Sequence, residues 1–130
     1  MSALATVAPP IRASDAAGIA AAAAALRSGA LVGLPTETVY GLAADASDPD
    51  AVARVFAAKD RPRINPLIVH CAEAGAALAL LRRNSMLDAL ASAFWPGPLT
   101  LIGDAAPDAP VCDLARAGLT TLAVRVPAHP

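Results

Sequence analysis

Pro35-Thr36-Glu37-Thr38-Val39-Tyr40-Gly41-Leu42 places two hydroxyls and a phenol directly after a short apolar run, residues 31–34. In open α/β sheets ligands bind beyond the carboxyl ends of strands, so this stretch suits a small polar molecule. The alternative is a turn whose threonines bond their own backbone. Lys59-Asp60-Arg61-Pro62-Arg63-Ile64-Asn65-Pro66-Leu67 gathers three cations in five residues. Nine of the ten basic residues are arginine and Lys59 is the only lysine, which suggests a place where a compact ammonium is wanted, as when one points at a phosphate. Arg61 adds the planar fork that grips phosphate oxygens in pairs. A solvated charge cluster opposing a helix C-terminus is the competing reading, but Asn65-Pro66 leads straight into the next apolar run, which favours a site. His70 closes that run; a lone histidine is as a rule a hydrogen-bonded structural residue, yet this one stands where a sheet of this kind binds ligands. Its neighbour Cys71 does not make a metal pair with it, because adjacent strand residues point to opposite faces, and no metal site is expected. In Thr120-Thr121-Leu122-Ala123-Val124-Arg125-Val126, alternation puts Thr121, Ala123 and Arg125 on one face. Arg125 either faces solvent or meets an anion, and the cost of burying an unpaired charge between two valines favours a carboxylate or phosphate partner.

Positioning these residues requires strands that end at them and helices that carry them. Residues 1–13 show no clear period and contain Pro9-Pro10, so they read as an extended arm or edge strand. Ser14 or Asp15 caps an alanine-rich helix bearing Ile19 and Leu26, and Gly29 suits the left-handed position just past its end. Residues 31–34, closed by Pro35, predict a strand buried on both faces. Asp48-Pro49 starts a helix, since aspartate caps free amides and proline fits the first turn. Val52, Val55 and Phe56 form its inward stripe, and Lys59 falls in the last turn before Arg61-Pro62. A strand over 67–69, helices over 72–83 and 86–94, and the breaker Trp95-Pro96-Gly97-Pro98 follow. Residues 100–102 predict a strand, 105–110 a proline-rich turn and 121–126 a further strand. Strands alternating with helices argue for α/β.

Composition narrows the function classes. One core is the expectation for 130 residues, and much of the 56% hydrophobic share is alanine, which offers little surface to bury. A net charge of -1 gives no global attraction to phosphate polymers, so any anion binding must come from a local cationic cluster. The apolar stretch over 16–26 falls far below the roughly 20 residues that a bilayer span needs and lacks the leucine-rich character of a secretory signal. A cytoplasmic protein with no membrane partner is expected. Cys71 and Cys112 are too far apart for a C-x-x-C site and too few for a disulfide framework, so they read as buried thiols.

The strings P-T-E-T-V-Y-G-L, K-x-R-P-x-x-N-P-L-I-V-H, W-P-G-P-L-T and A-V-R-V-P-A-H-P occur together in this order. Over residues 26–130 the sequence resembles the YrdC-like threonylcarbamoyl-AMP synthases. The resemblance implies one domain with a twisted, open mixed sheet flanked by helices. It also implies incompleteness at the C-terminus, because the family continues to a strand and a Ser-x-Asn motif that this chain lacks. The implied enzyme is a nucleotidyltransferase that joins L-threonine and bicarbonate as a carbamate, whose oxygen attacks the α-phosphorus of ATP and expels pyrophosphate. Its product serves tRNA threonylcarbamoyladenosine modification through a downstream tRNA threonylcarbamoyl-transferase complex. Position by position, the resemblance assigns Thr38 and His70 to threonine contact and Arg125 to the threonine carboxylate. Arg61, Asn65 and Thr121 would bind the nucleotide, and Lys59 would offset polyphosphate charge beside Mg2+, with Lys59 and Arg61 as catalytic groups. Two other readings compete: the carbamoyl-transfer domain of a hydrogenase-maturation protein, and a non-catalytic module with weak RNA binding. An aromatic content of 3% argues against single-strand stacking.

Overall fold

Side-chain caps set where the longer helices begin. The computed structural model describes residues 9–129. Asp15 accepts the Gly18 N–H at 2.8 Å and opens α1, Ala16–Arg27. Gly29, at φ 88°, ends the segment in the left-handed region, and Arg54 donates to its carbonyl from the next helix. α1 has no buried residue, so alanine propensity rather than a core stripe makes it helical. Asp48 accepts the N–H groups of Asp50 and Ala51 at 3.0 and 3.2 Å and opens α2, Pro49–Lys59. The predicted stripe is realised: Val52, Val55 and Phe56 are at most 3% exposed. Asp60, at φ 50°, then turns the chain away from the helix axis. α3 spans Ala74–Ala79, and α4 spans Ser85–Phe94 behind an Asn84 cap.

The strands fall into two groups. β1 (Val32–Leu34) pairs antiparallel with β2 (Gly41–Ala43). β5 (Thr121–Arg125) lies between β3 (Ile68–His70), which is parallel to it, and β4 (Leu101–Asp104), which is antiparallel. The α/β class and the mixed strand directions agree with expectation. One face of β5 carries Leu122 and Val124 into a core with Leu78, Leu81, Leu87, Trp95, Leu101 and Val126. A second cluster sets Val52 and Phe56 of α2 against Ala115 in the 3-10 turn Asp113–Arg116. Each fully buried Leu, Val or Phe contributes about 1.5–3 kcal/mol. The exposed Arg83–Asp88 pair at 3.0 Å adds about 0–1 kcal/mol, so burial and not surface charge fixes the scaffold.

Several expectations are corrected. β1 is not buried on both faces, since Gly33 is exposed and its neighbours half-buried; a short apolar run does not distinguish the two cases. β2 escaped prediction because Gly-Leu-Ala has little strand propensity. The helix expected over 72–83 contracts to α3, because its last turn is pulled into pairing: Leu81 bridges Ala105 and the Arg82 N–H donates to Asp104 at 2.8 Å. Both cysteines are half-buried free thiols rather than fully buried ones. Residues 9–13 of the expected arm have no regular structure, and the rest of that arm lies outside the described residues. Among the described residues no helix is long and apolar enough to cross a membrane.

Candidate active site

Parallel pairing of β3 and β5 sets His70 in register with Arg125, so two strands deliver their last side chains to the same place. Both lie on the sheet face opposite Leu122 and Val124, as alternation predicts. Over this face opens a cavity of about 560 Å³, walled by the β1–β2 loop, the inner face and end of α2, and β3. That volume suits a small-molecule site, for which about 300–1,000 Å³ is usual. Thr38, Lys59, Arg61, His70 and Arg125 all line it. Its described lining thus holds three cations and neither Asp nor Glu, in a chain of net charge -1. Positive charge is thus gathered locally, where the composition left room for anion binding.

Each predicted residue has a definite place. Thr36 takes the turn role: its Oγ1 donates to the Val39 carbonyl at 2.6 Å and accepts the N–H groups of Thr38 and Val39. Thr38 reaches outward, its Oγ1 accepting from Arg125 Nη1 at 3.3 Å. The Arg125 Nε and Nη2 groups donate to Thr100 Oγ1 at 3.1 and 2.8 Å, and Nη1 lies 3.6 Å from Glu37 Oε1. The anionic partner foreseen for Arg125 therefore exists within the protein. Arg61 spends two of the five N–H groups of its guanidinium on loop carbonyls, Pro66 at 2.9 Å and Asn65 at 3.4 Å. Lys59 is exposed in the last turn of α2 and has no ion-pair partner among the described residues. His70 is exposed, with Nδ1 3.1 Å from the Ile68 carbonyl; a proton on Nδ1 would leave Nε2 as an acceptor.

Two predicted residues stand apart. Asn65 is exposed beside Pro66 but is not itself in the lining. Thr121 begins the strand that Arg125 ends, about 13 Å away at strand rise. Sequence reasoning gave no role to Glu37 or Thr100, which with Thr38 hold Arg125. Charge accounting pointed to such a partner, and both lie in the quoted strings. Thr100 reaches Arg125 because its loop is docked: the Gly97 N–H donates to the Val126 carbonyl at 2.8 Å. A Cβ at Gly97 would stand 2.5 Å from the Phe94 carbonyl, so the approach needs glycine.

Burial pushes the Cys71 thiol above its ordinary pKa. Its backbone N–H donates to the Arg125 carbonyl at 2.9 Å, closing the pairing just behind the site. The described residues contain no group of three or more His, Cys, Asp or Glu side chains placed to hold a metal. With cations in its lining, the cavity does not fit a resident Mg2+ held by protein ligands.

Comparison with known proteins connects this geometry to a family. Over 113 residues the chain is 48% identical to the threonylcarbamoyl-AMP synthase of Bacillus subtilis, covering 86% of this chain and 32% of that protein. It is 44% identical over 113 residues to the threonylcarbamoyl-AMP synthase of Halorhodospira halophila, covering 84% of this chain and 56% of that one. The crystal structure of Pyrococcus abyssi Sua5 complexed with L-threonine matches with a TM-score of 0.81 at 47% identity, over 86% of this chain and 33% of that one. The chain therefore spans between about a third and just over half of the length of these relatives. The family profile described as Telomere recombination, that of the Sua5, YciO and YrdC proteins, matches residues 24–130, and this chain belongs to that family.

Proposed function

We propose that this chain is the part of an L-threonylcarbamoyladenylate synthase that brings threonine and the ATP polyphosphate together. The observation that carries the reading is the cavity itself: Lys59, Arg61 and Arg125 line it with no carboxylate among its described lining residues. The names of the relatives favour a synthase over a carbamoyl-transfer domain or an RNA-binding module.

On this reading Arg125 receives the threonine carboxylate, with Thr38 and His70 on either side of the amino acid. The threonine amine and bicarbonate give the carbamate with loss of water. The carbamate oxygen then bonds to the α-phosphorus as the bond to the pyrophosphate oxygen breaks, giving the adenylate and pyrophosphate. Negative charge grows on the leaving pyrophosphate, where the Lys59 ammonium and the unspent Arg61 donors stabilise it. Such a reaction asks for positioning and charge compensation more than for covalent help, which fits a site built from cations and hydroxyls. Asn65, next to Pro66 of the lining, offers its amide to the nucleotide. A Thr121 contact requires the nucleotide to extend along β5 beyond the cavity. Mg2+ belongs in this scheme to the substrate's phosphates, for which the described side chains provide no separate ligand set. The adenylate would pass to the tRNA threonylcarbamoyl-transferase complex in the cytoplasm.

The test is pyrophosphate release by the whole protein supplied with ATP and bicarbonate. Release that depends on L-threonine and needs no RNA is the expected result; absence of threonine dependence would defeat the assignment.

A further inference from the structure

Glu37 stands beside the cavity and is not in its lining. Its Oε1 stands 3.6 Å from Arg125 Nη1, with the two side chains 15% and 13% exposed. Its other oxygen accepts the backbone N–H of Ala128, three residues beyond Arg125. One carboxylate therefore holds both the guanidinium and the chain that leaves β5. Oε1 is buried and has no hydrogen-bond partner among the described residues. A desolvated carboxylate oxygen without a donor is costly, and the Arg125 charge is what compensates it. Such a contact is a poor way to gain stability and an effective way to fix the direction of a long side chain.

The remaining contacts of Arg125 show which direction is fixed. Thr100 takes one N–H from Nε and one from Nη2, and Thr38 takes one from Nη1. Of five donors, two remain, one on each terminal nitrogen. One free N–H on each terminal nitrogen can pair with a carboxylate bidentately. We infer that Glu37 is a positioning residue: by holding Arg125 through Nη1 and fastening the segment after β5, it keeps the free donors of the guanidinium turned toward the carboxylate of an amino-acid substrate. This inference rests on the reading of Arg125 given above. It makes Glu37 a determinant of amino-acid affinity although it touches no substrate.

The experiment compares Glu37→Ala, Glu37→Gln, Arg125→Ala and the Glu37→Ala/Arg125→Ala double variant in the whole protein, by steady-state pyrophosphate release and thermal melting. Glu37→Ala should raise the threonine KM roughly tenfold while the ATP KM stays within about twofold. Glu37→Gln keeps an acceptor for the Ala128 N–H but drops the charge that faces Arg125, so it should raise the threonine KM at least about threefold. In threonine KM the double variant should match Arg125→Ala alone, because Glu37 acts on the amino acid through the arginine, while loss of its Ala128 contact shows in the melting temperature. A wild-type threonine KM in a normally melting Glu37→Gln, or effects that multiply in the double variant, would overturn the role of Glu37 and leave that of Arg125 intact. A wild-type threonine KM in Arg125→Ala would instead overturn the site reading itself. Should Glu37→Ala not fold, the Gln variant decides the question.

Discussion

Arg61 and Lys59 carry equal charge but are held in different ways. Arg61 is braced against the carbonyls of Asn65 and Pro66, while Lys59, exposed in the last turn of α2, has no ion-pair partner among the described residues. Lys59→Ala should lower kcat about 100- to 1,000-fold with little change in melting temperature, the scale for losing one electrostatic contact to a transition state. Arg61→Ala should lose both activity and loop order, and Arg61→Lys should recover only part of the rate because a compact ammonium lacks the planar fork that spans the loop carbonyls and a phosphate together. Rapid-quench measurement of adenylate formation checks both. The raised pKa of Cys71 gives another prediction. Its neutral form is favoured in the folded protein, so that contribution is complete below the pKa of the unfolded thiol and is lost as pH rises through the higher folded value. Alkylation of Cys71 near neutral pH should be slower than for a free thiol and should accelerate only on the alkaline side of the ordinary thiol range. At this scale residue types were readable from the sequence, whereas partnerships were not: Glu37 and Arg125 are far apart in the chain, and only folding reveals their pairing.

Elements whose signals are local were readable in advance. The Asp48-Pro49 start and the Val52, Val55, Phe56 stripe appear as expected because capping and helical periodicity act within a few residues. Asp48→Ala should destabilise the protein by about 1 kcal/mol. Phe56→Ala should cost about 3–5 kcal/mol, since it empties the contact between α2 and the Asp113–Arg116 turn. Denaturant midpoints distinguish the two. Elements decided by distant partners were misread. The last turn of the predicted helix over 72–83 was taken by pairing with residues 104 and 105, and β2 exists only because β1 lies alongside it.

For the molecule as a whole, the contrast between a net charge of -1 and a cavity lined by three cations sets the behaviour toward ligands. Nucleotide affinity should fall as salt is raised, and Lys59→Ala should flatten that dependence; calorimetry across a salt series measures both. A salt dependence unchanged by the substitution would remove Lys59 from polyphosphate binding. The α/β class and the motifs at strand ends were accessible from the sequence, but the division of the strands between two sheets was not, because pairing partners are a property of the assembled fold.

β5 joins these scales, since Arg125 at its end faces the cavity while Leu122 and Val124 serve the core. Inserting or deleting one residue upstream of Arg125 would send the guanidinium into hydrocarbon and a leucine or valine toward the ligand. Core packing and the placement of the guanidinium thus depend on the same five residues. A polypeptide that mispairs this strand would lose its core packing together with the aim of that one arginine.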